Sequence, residues 1–194
     1  DILIVRSIKN LNEVLLKDTP VKFVGTATIG TDHIDLIYLK KNNIAFADAK
    51  GCNAFSVAEY VVAALFKLAV KFDFSLKDKS IGIVGIGNVG SKVARFAEAL
   101  GMKVLLNDPP LLRNGDTRKF VDLNEILSAD IITLHVPLNL KGIDKTYHLI
   151  DSEKLNRVKN EAVIINTSRG AVVNNKDLLD VILKKNIKVI LDVW

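Results

Sequence analysis

Gly85, Gly87 and Gly90 stand in the stretch Val84-Gly-Ile-Gly-Asn-Val-Gly90 at the GxGxxG spacing. Residues of this kind, so spaced, suit a diphosphate. The first glycine lets the chain turn sharply off a strand. The second lets a pyrophosphate approach the backbone, and the third lets the next helix sit close on the sheet. The N–H groups near Asn88 and Val89 would then face the diphosphate at the positive end of that helix. Asp108 follows 18 positions after Gly90, near the roughly 20 at which a carboxylate meets the adenosine ribose. A carboxylate there accepts from both ribose hydroxyls and repels a 2′-phosphate, which argues for NAD over NADP. The alternative is a strand-terminal aspartate opening a turn with Pro109 and Pro110.

These residues need a strand, a helix and a second strand to position them. Apolar Ile81 to Val84 supplies the first, Ser91 to Leu100 closed by Gly101 the helix, and Lys103 to Asn107 the second strand. Further strands are expected at Ile131–His135, Val163–Asn166 and Lys188–Leu191. Helices are expected at Asp122–Leu127, after a capping Asp151, and at Lys176–Lys185 behind a capping Asn175. Leu111–Phe120 reads as irregular. Five strands with intervening helices predict an α/β fold, a doubly wound parallel sheet of Rossmann type.

Upstream, strands at Ile2–Val5, Lys22–Gly25 and Ile44–Ala47 alternate with helices around Leu11–Leu16 and at Ile34–Lys41. This alternation predicts part of a flavodoxin-like sheet. The expected domains are residues 1–52, partial and substrate-binding, and residues 53–194, dinucleotide-binding and including a long helix Val57–Lys71 capped by Ser56. That helix is apolar nearly all round and is expected to be buried on several sides, between domains or against a partner subunit. The chain starts inside one strand and stops just after another, so a piece of a longer protein is expected.

Among the 194 residues, 49% are hydrophobic and 25% charged, as in ordinary globular proteins. The net charge of +5 comes from scattered lysines with no basic stripe, which speaks against a nucleic-acid partner. The single cysteine, Cys52, excludes an intrachain disulfide and fits a reducing, cytoplasmic compartment. The most apolar run, Val57–Val70, is too short to span a bilayer and carries Glu59 and Lys67, so no membrane association is expected. No metal site is expected either.

The segments Val-Gly-Thr-Ala-Thr-Ile-Gly-Thr-Asp-His-Ile-Asp35, Ser-Val-Ala-Glu-Tyr60, Gly-Ile-Gly-Asn-Val-Gly90, Leu-His-Val-Pro137, Asn-Thr-Ser-Arg-Gly170 and Leu-Asp-Val-Trp194 follow one another in order. Together they resemble the D-isomer-specific 2-hydroxyacid dehydrogenases over essentially the whole chain. The resemblance implies an NAD-dependent oxidoreductase, a homodimer at full length, acting on a small phosphorylated 2-hydroxy acid. The same chemistry on another substrate such as 3-phosphoglycerate, or an NAD-sensing binding protein of this fold, are the alternatives.

By that resemblance Arg169 is the catalytic arginine. A guanidinium can bridge a carboxylate and the neighbouring C2 oxygen, which a lysine point charge cannot copy. A surface arginine after a strand is the alternative. Ser7 and Thr28 match substrate contacts, Val136 and Pro137 match positions lining the cofactor, and Thr167 and Asp192 match those facing the nicotinamide carboxamide. Arg6, beside Ser7, is a candidate for the substrate phosphate or else a solvated side chain. The resemblance places the proton-accepting histidine and its glutamate beyond Trp194. His135 is therefore read as structural or close to the cofactor phosphates, with a base role as the alternative, and His33 and His148 as structural or surface residues.

Overall fold

A computed structural model describes residues 1–6, 9–27, 30–31 and 33–194. The chain forms two compact units, Asp1–Asn53 and Ala54–Trp194, so Asn53 groups with the first. In that unit β1 (Ile2–Val5), β2 (Phe23–Thr26) and β3 (Ala45–Asp48) make a parallel sheet in the order β1-β2-β3. Helices α1 (Glu13–Leu16) and α2 (Leu36–Lys41) bury Leu16 and Leu39 with Leu11, Val24 and Ile34. Helix α2 starts later than the apolar pattern suggests. The Asp35 carboxylate accepts from the Tyr38 N–H at 2.9 Å and makes Asp35 the cap. Ile34 pairs with Leu11 instead.

The second unit opens with α3 (Ala54–Lys71), which starts three residues before the expected Val57 and takes Ser56 inside its first turn. Within this chain its burial is one-sided. Ala54, Ala58, Val61, Leu65 and Leu68 form one buried stripe at helical spacing, while Phe55, Phe66 and Val70 are exposed. Then come β4 (Ser80–Val84), α4 (Gly90–Ala99), β5 (Lys103–Asn107), α5 (Pro109–Arg113), α6 (Leu123–Ile126), β6 (Ile131–Leu134), α7 (Ser152–Arg157), β7 (Val163–Asn166), α8 (Asn175–Lys185) and β8 (Lys188–Leu191). Helix α5 was not expected. Asp108 caps it, and Pro109, at the first helical position, has a preset φ and no N–H to waste there. The cap of α8 is Asn174, one residue before the expected Asn175.

All five strands are parallel, in the order β5-β4-β6-β7-β8. Side chains alternate between two cores, as pleating requires. Ile81, Ile83, Ile131, Val163 and Ile165 pack towards α3 and α4. Val84, Ile132, Leu134 and Ile164 pack towards α6, α7 and α8. This is the Rossmann-type arrangement expected from the alternation of strands and helices. The chain reverses direction across the sheet between β4 and β6, and an open α/β sheet binds ligands at the carboxyl ends of strands beside such a reversal.

The other strand ends are tied together. Asp130 Oδ2 accepts from Ser80 N and Oγ at 2.8 and 2.5 Å, and Oδ1 accepts from Lys159 Nζ at 2.9 Å. Burial opposes ionisation of this carboxyl, but the Ser80 and Lys159 bonds outweigh it and hold it at about 2. Among the described residues, no helix is long and apolar enough to cross a membrane.

Candidate active site

At the reversal the chain leaves β4 through Gly85, whose φ is +89° and whose N–H donates to the Asn107 carbonyl at 2.8 Å. The three glycines differ in what demands them. A Cβ on Gly85 would lie 2.6 Å from the His135 carbonyl oxygen, and one on Gly90 only 1.9 Å from that of Gly85. Both positions are closed by the protein itself. A Cβ on Gly87 would meet nothing within 4 Å. Gly87 and Asn88 are exposed, no side chain caps α4, and among the described residues the N–H groups of Asn88 and Val89 have no partner. The loop thus offers free donors at a helix N-terminus beside a residue without a side chain, which fits a dinucleotide diphosphate.

Gly85 and Gly87 border a cleft of about 270 Å³ that is also lined by Asp108, Pro109, His135, Val136 and Pro137. The expected Gly85, Gly87, Asp108, Val136 and Pro137 are therefore brought to one place. The two readings of Asp108 turn out to be compatible. Its Oδ1 accepts from Leu111 N at 3.0 Å and caps α5, while Oδ2 accepts from Ile86 N, inside the glycine loop, at 2.7 Å. A carboxylate has about four acceptor positions, so ribose hydroxyls can still be received. A slightly larger depression, about 310 Å³, lies at the other strand ends beside Phe72, Asp130, Lys159 and Lys188. Its Lys159 is paired with Asp130 and its Lys188 lies over the Phe72 ring.

His135 lies just past β6, which ends at Leu134 and not at His135. Its Nε2 is 3.0 Å from Thr133 Oγ1 and its Nδ1 3.0 Å from Thr167 Oγ1. A neutral imidazole, with one donor and one acceptor, suits two hydroxyls. Burial of the ring pulls its pKa from 6.5 to about 4. Both nitrogens are engaged and burial favours the neutral ring, which fits the structural reading. The Thr167 hydroxyl is correspondingly turned to His135.

Arg169 sits in the turn after β7. The turn is shaped by Asn166, a buried residue that sequence reasoning passed over. Asn166 Nδ2 donates to the Arg169 carbonyl at 2.9 Å, and its Oδ1 accepts from Ser168 N at 3.0 Å and Oγ at 2.7 Å. A buried asparagine at a strand end, just before Thr-Ser-Arg-Gly, was the available signal. Arg169 is half-buried, and its Nη1 donates to the Ser168 carbonyl at 3.0 Å. Next to it Gly170 is needed for close packing, because a Cβ there would lie 2.3 Å from the Trp194 carbonyl carbon. Asp192 is exposed after β8, and its N–H donates to the Asn166 carbonyl at 3.0 Å.

Thr146 was also missed. Its Oγ1 donates to the Pro137 carbonyl at 2.5 Å and accepts from Asn139 N at 2.7 Å, which folds the loop after Pro137 along the cleft. In the first unit Arg6 is exposed directly after β1. The expected contacts Ser7 and Thr28 lie outside the described residues.

Residues 58–194 match the family described as D-isomer specific 2-hydroxyacid dehydrogenase, NAD binding domain. The chain belongs to this family. It is 49% identical to an erythronate-4-phosphate dehydrogenase of Salmonella arizonae and 48% identical to one of Photorhabdus laumondii. Each match covers 100% of the chain and 52% of the relative, so the chain spans about half the length of these curated relatives. Among solved structures it resembles an NAD⁺-bound 3-phosphoglycerate dehydrogenase from Entamoeba histolytica, with a TM-score of 0.85 at 29% identity, covering 100% of this chain and 64% of that one. A D-lactate dehydrogenase from Aquifex aeolicus, complexed with NAD and lactic acid, gives a TM-score of 0.81 at 30% identity with the same coverage. Family membership gives the cofactor as NAD, and the glycine-loop geometry fits its diphosphate.

Proposed function

We propose that the protein carrying this chain oxidises 4-phospho-D-erythronate to 2-oxo-3-hydroxy-4-phosphobutanoate with NAD, a step on the route to pyridoxal phosphate. The observation that carries the reading is Gly87, open towards the cleft bordered by Asp108, in a chain about half identical to erythronate-4-phosphate dehydrogenases. Gly85 to Gly90, with Asn88 and Val89, hold the diphosphate; Asp108 receives the ribose diol. Val136 and Pro137 border the cofactor through backbone and shape, and Thr167 and Asp192 face its carboxamide. NAD supplies the hydride acceptor.

Arg169 bridges the substrate carboxylate and C2 oxygen, orienting the substrate and stabilising charge as hydride leaves C2. Ser7 and Thr28 contact the substrate and Arg6 its phosphate, which makes residues 1–52 part of a substrate-binding domain. The family resemblance supplies the proton acceptor, a histidine held by a glutamate, from beyond Trp194. At full length the protein is a cytoplasmic homodimer.

Cofactor choice tests the reading directly. NAD is expected to bind far more tightly than NADP, and Asp108→Ala to narrow the gap, both measured by titration. Equal affinities in the unmutated chain would remove the role given to Asp108.

A further inference from the structure

Two arginines stand near the end of β5, where a 2′-phosphate would have to be received, and both are already held by aspartates. Arg113 closes α5, the helix capped by Asp108. Five residues of helix span only about 7.5 Å, well within reach of an arginine side chain. Its Nη2 donates to both carboxylate oxygens of Asp144, at 2.5 and 2.6 Å. Asp144 lines the same cleft as Asp108, so the guanidinium is held at the cleft rim. Farther along, Arg118 grips Asp116 with a two-nitrogen fork, Nε to Oδ1 at 2.9 Å and Nη2 to Oδ2 at 2.6 Å.

The Asp144 carboxylate is presented by a built loop. Asn139 Nδ2 donates to the Asp144 carbonyl at 3.0 Å, and Asn139 N donates to the buried Thr146 hydroxyl, itself bonded to Pro137. An unpaired guanidinium at that rim would be well suited to a phosphate monoester, which carries nearly two negative charges and three acceptor oxygens. Bonded to Asp144 through Nη2, its charge is already offset by a carboxylate and one nitrogen of its fork is taken.

We propose that Asp144 is a specificity-determining residue, selecting NAD over NADP by occupying the guanidinium of Arg113. Asp108 discriminates by receiving the ribose diol. Asp144 discriminates by withholding the cation that would reward the extra phosphate. The inference rests on the reading of this cleft as the NAD site.

The test titrates NAD and NADP against the unmutated chain, Asp144→Asn, Arg113→Gln and the double variant. Asp144→Asn is expected to raise NADP affinity relative to NAD by about tenfold or more, the effect of one newly available charge-assisted bond. Adding Arg113→Gln is expected to abolish that gain. An unchanged NADP-to-NAD ratio in Asp144→Asn, with NAD still bound, would overturn the proposal. So would a gain that persists in the double variant, which would trace selectivity to the Asp144 charge itself. Binding of neither dinucleotide by the unmutated chain would overturn the cofactor reading, and this inference with it.

Discussion

Arg169 and His135 are held by opposite kinds of chemistry, and each makes its own prediction. Asn166 fixes the backbone around Arg169, so the guanidinium of a full-length protein starts from a preset position. Arg169→Ala there is expected to cost about 3 kcal/mol or more in kcat/KM, the order for removing a charge-stabilising donor, while NAD affinity persists. Unchanged turnover would contradict the role. For His135 the native state binds the proton less readily than the unfolded chain. Between pH 6.5 and about 4 the unfolded state therefore holds more protons. Stability should rise with pH through that window and be level above it, and full protonation should cost up to roughly 3 kcal/mol. Urea melts across the window should show this slope, and His135→Gln should lack it. Asp130, held at about 2, contributes stability that is lost only as pH falls below the ordinary 3.8, so it does not confuse the comparison. His135 was legible as a strand-end residue near the cofactor cleft. Its two threonine partners were not, because Thr167 reaches it from 32 positions away and such pairing depends on strand order.

At the scale of elements, the glycine loop separates ligand demand from fold demand. Gly90→Ala drives a methyl into the Gly85 carbonyl and is expected to destabilise the second unit by about 1–3 kcal/mol or more. Gly87→Ala meets no atom of the chain. It should leave thermal stability within about 1 kcal/mol yet weaken NAD by about tenfold or more, since its methyl stands where the diphosphate approaches. Thermal melts and NAD titration of the two variants check this; a Gly87→Ala chain that binds NAD normally would contradict the loop's role. The strands and α4 were legible because buried parallel strands are short apolar runs between turn residues. Helix α5 was hidden because two prolines after an aspartate read equally as a turn or a helix start, and the capping bond to Leu111 decides between them. The long helix α3 shows another limit. Its apolar composition was plain, but which stripe meets the sheet depends on tertiary packing.

For the whole molecule, the three histidines of residues 1–194 bear on what this stretch can do alone. His135 has both nitrogens engaged and a pKa lowered by burial. His148 stacks on Tyr147 with its ring 3.9 Å away. His33 is buried in the first unit. In the second unit His135 already spends both ring nitrogens on threonines, and a positioned base is typically worth about 10²–10⁴-fold in rate. The chain by itself is expected to bind NAD and to turn over poorly. The most direct measurement follows NADH formation from NAD and erythronate 4-phosphate, comparing residues 1–194 with a version extended to the length of the relatives. The account predicts dehydrogenase turnover by the extended protein, its collapse on Arg169→Ala with NAD still bound, and none at an enzymatic rate from residues 1–194. An extended protein that binds NAD without oxidising any 2-hydroxy acid would contradict it, as would full turnover by residues 1–194 alone.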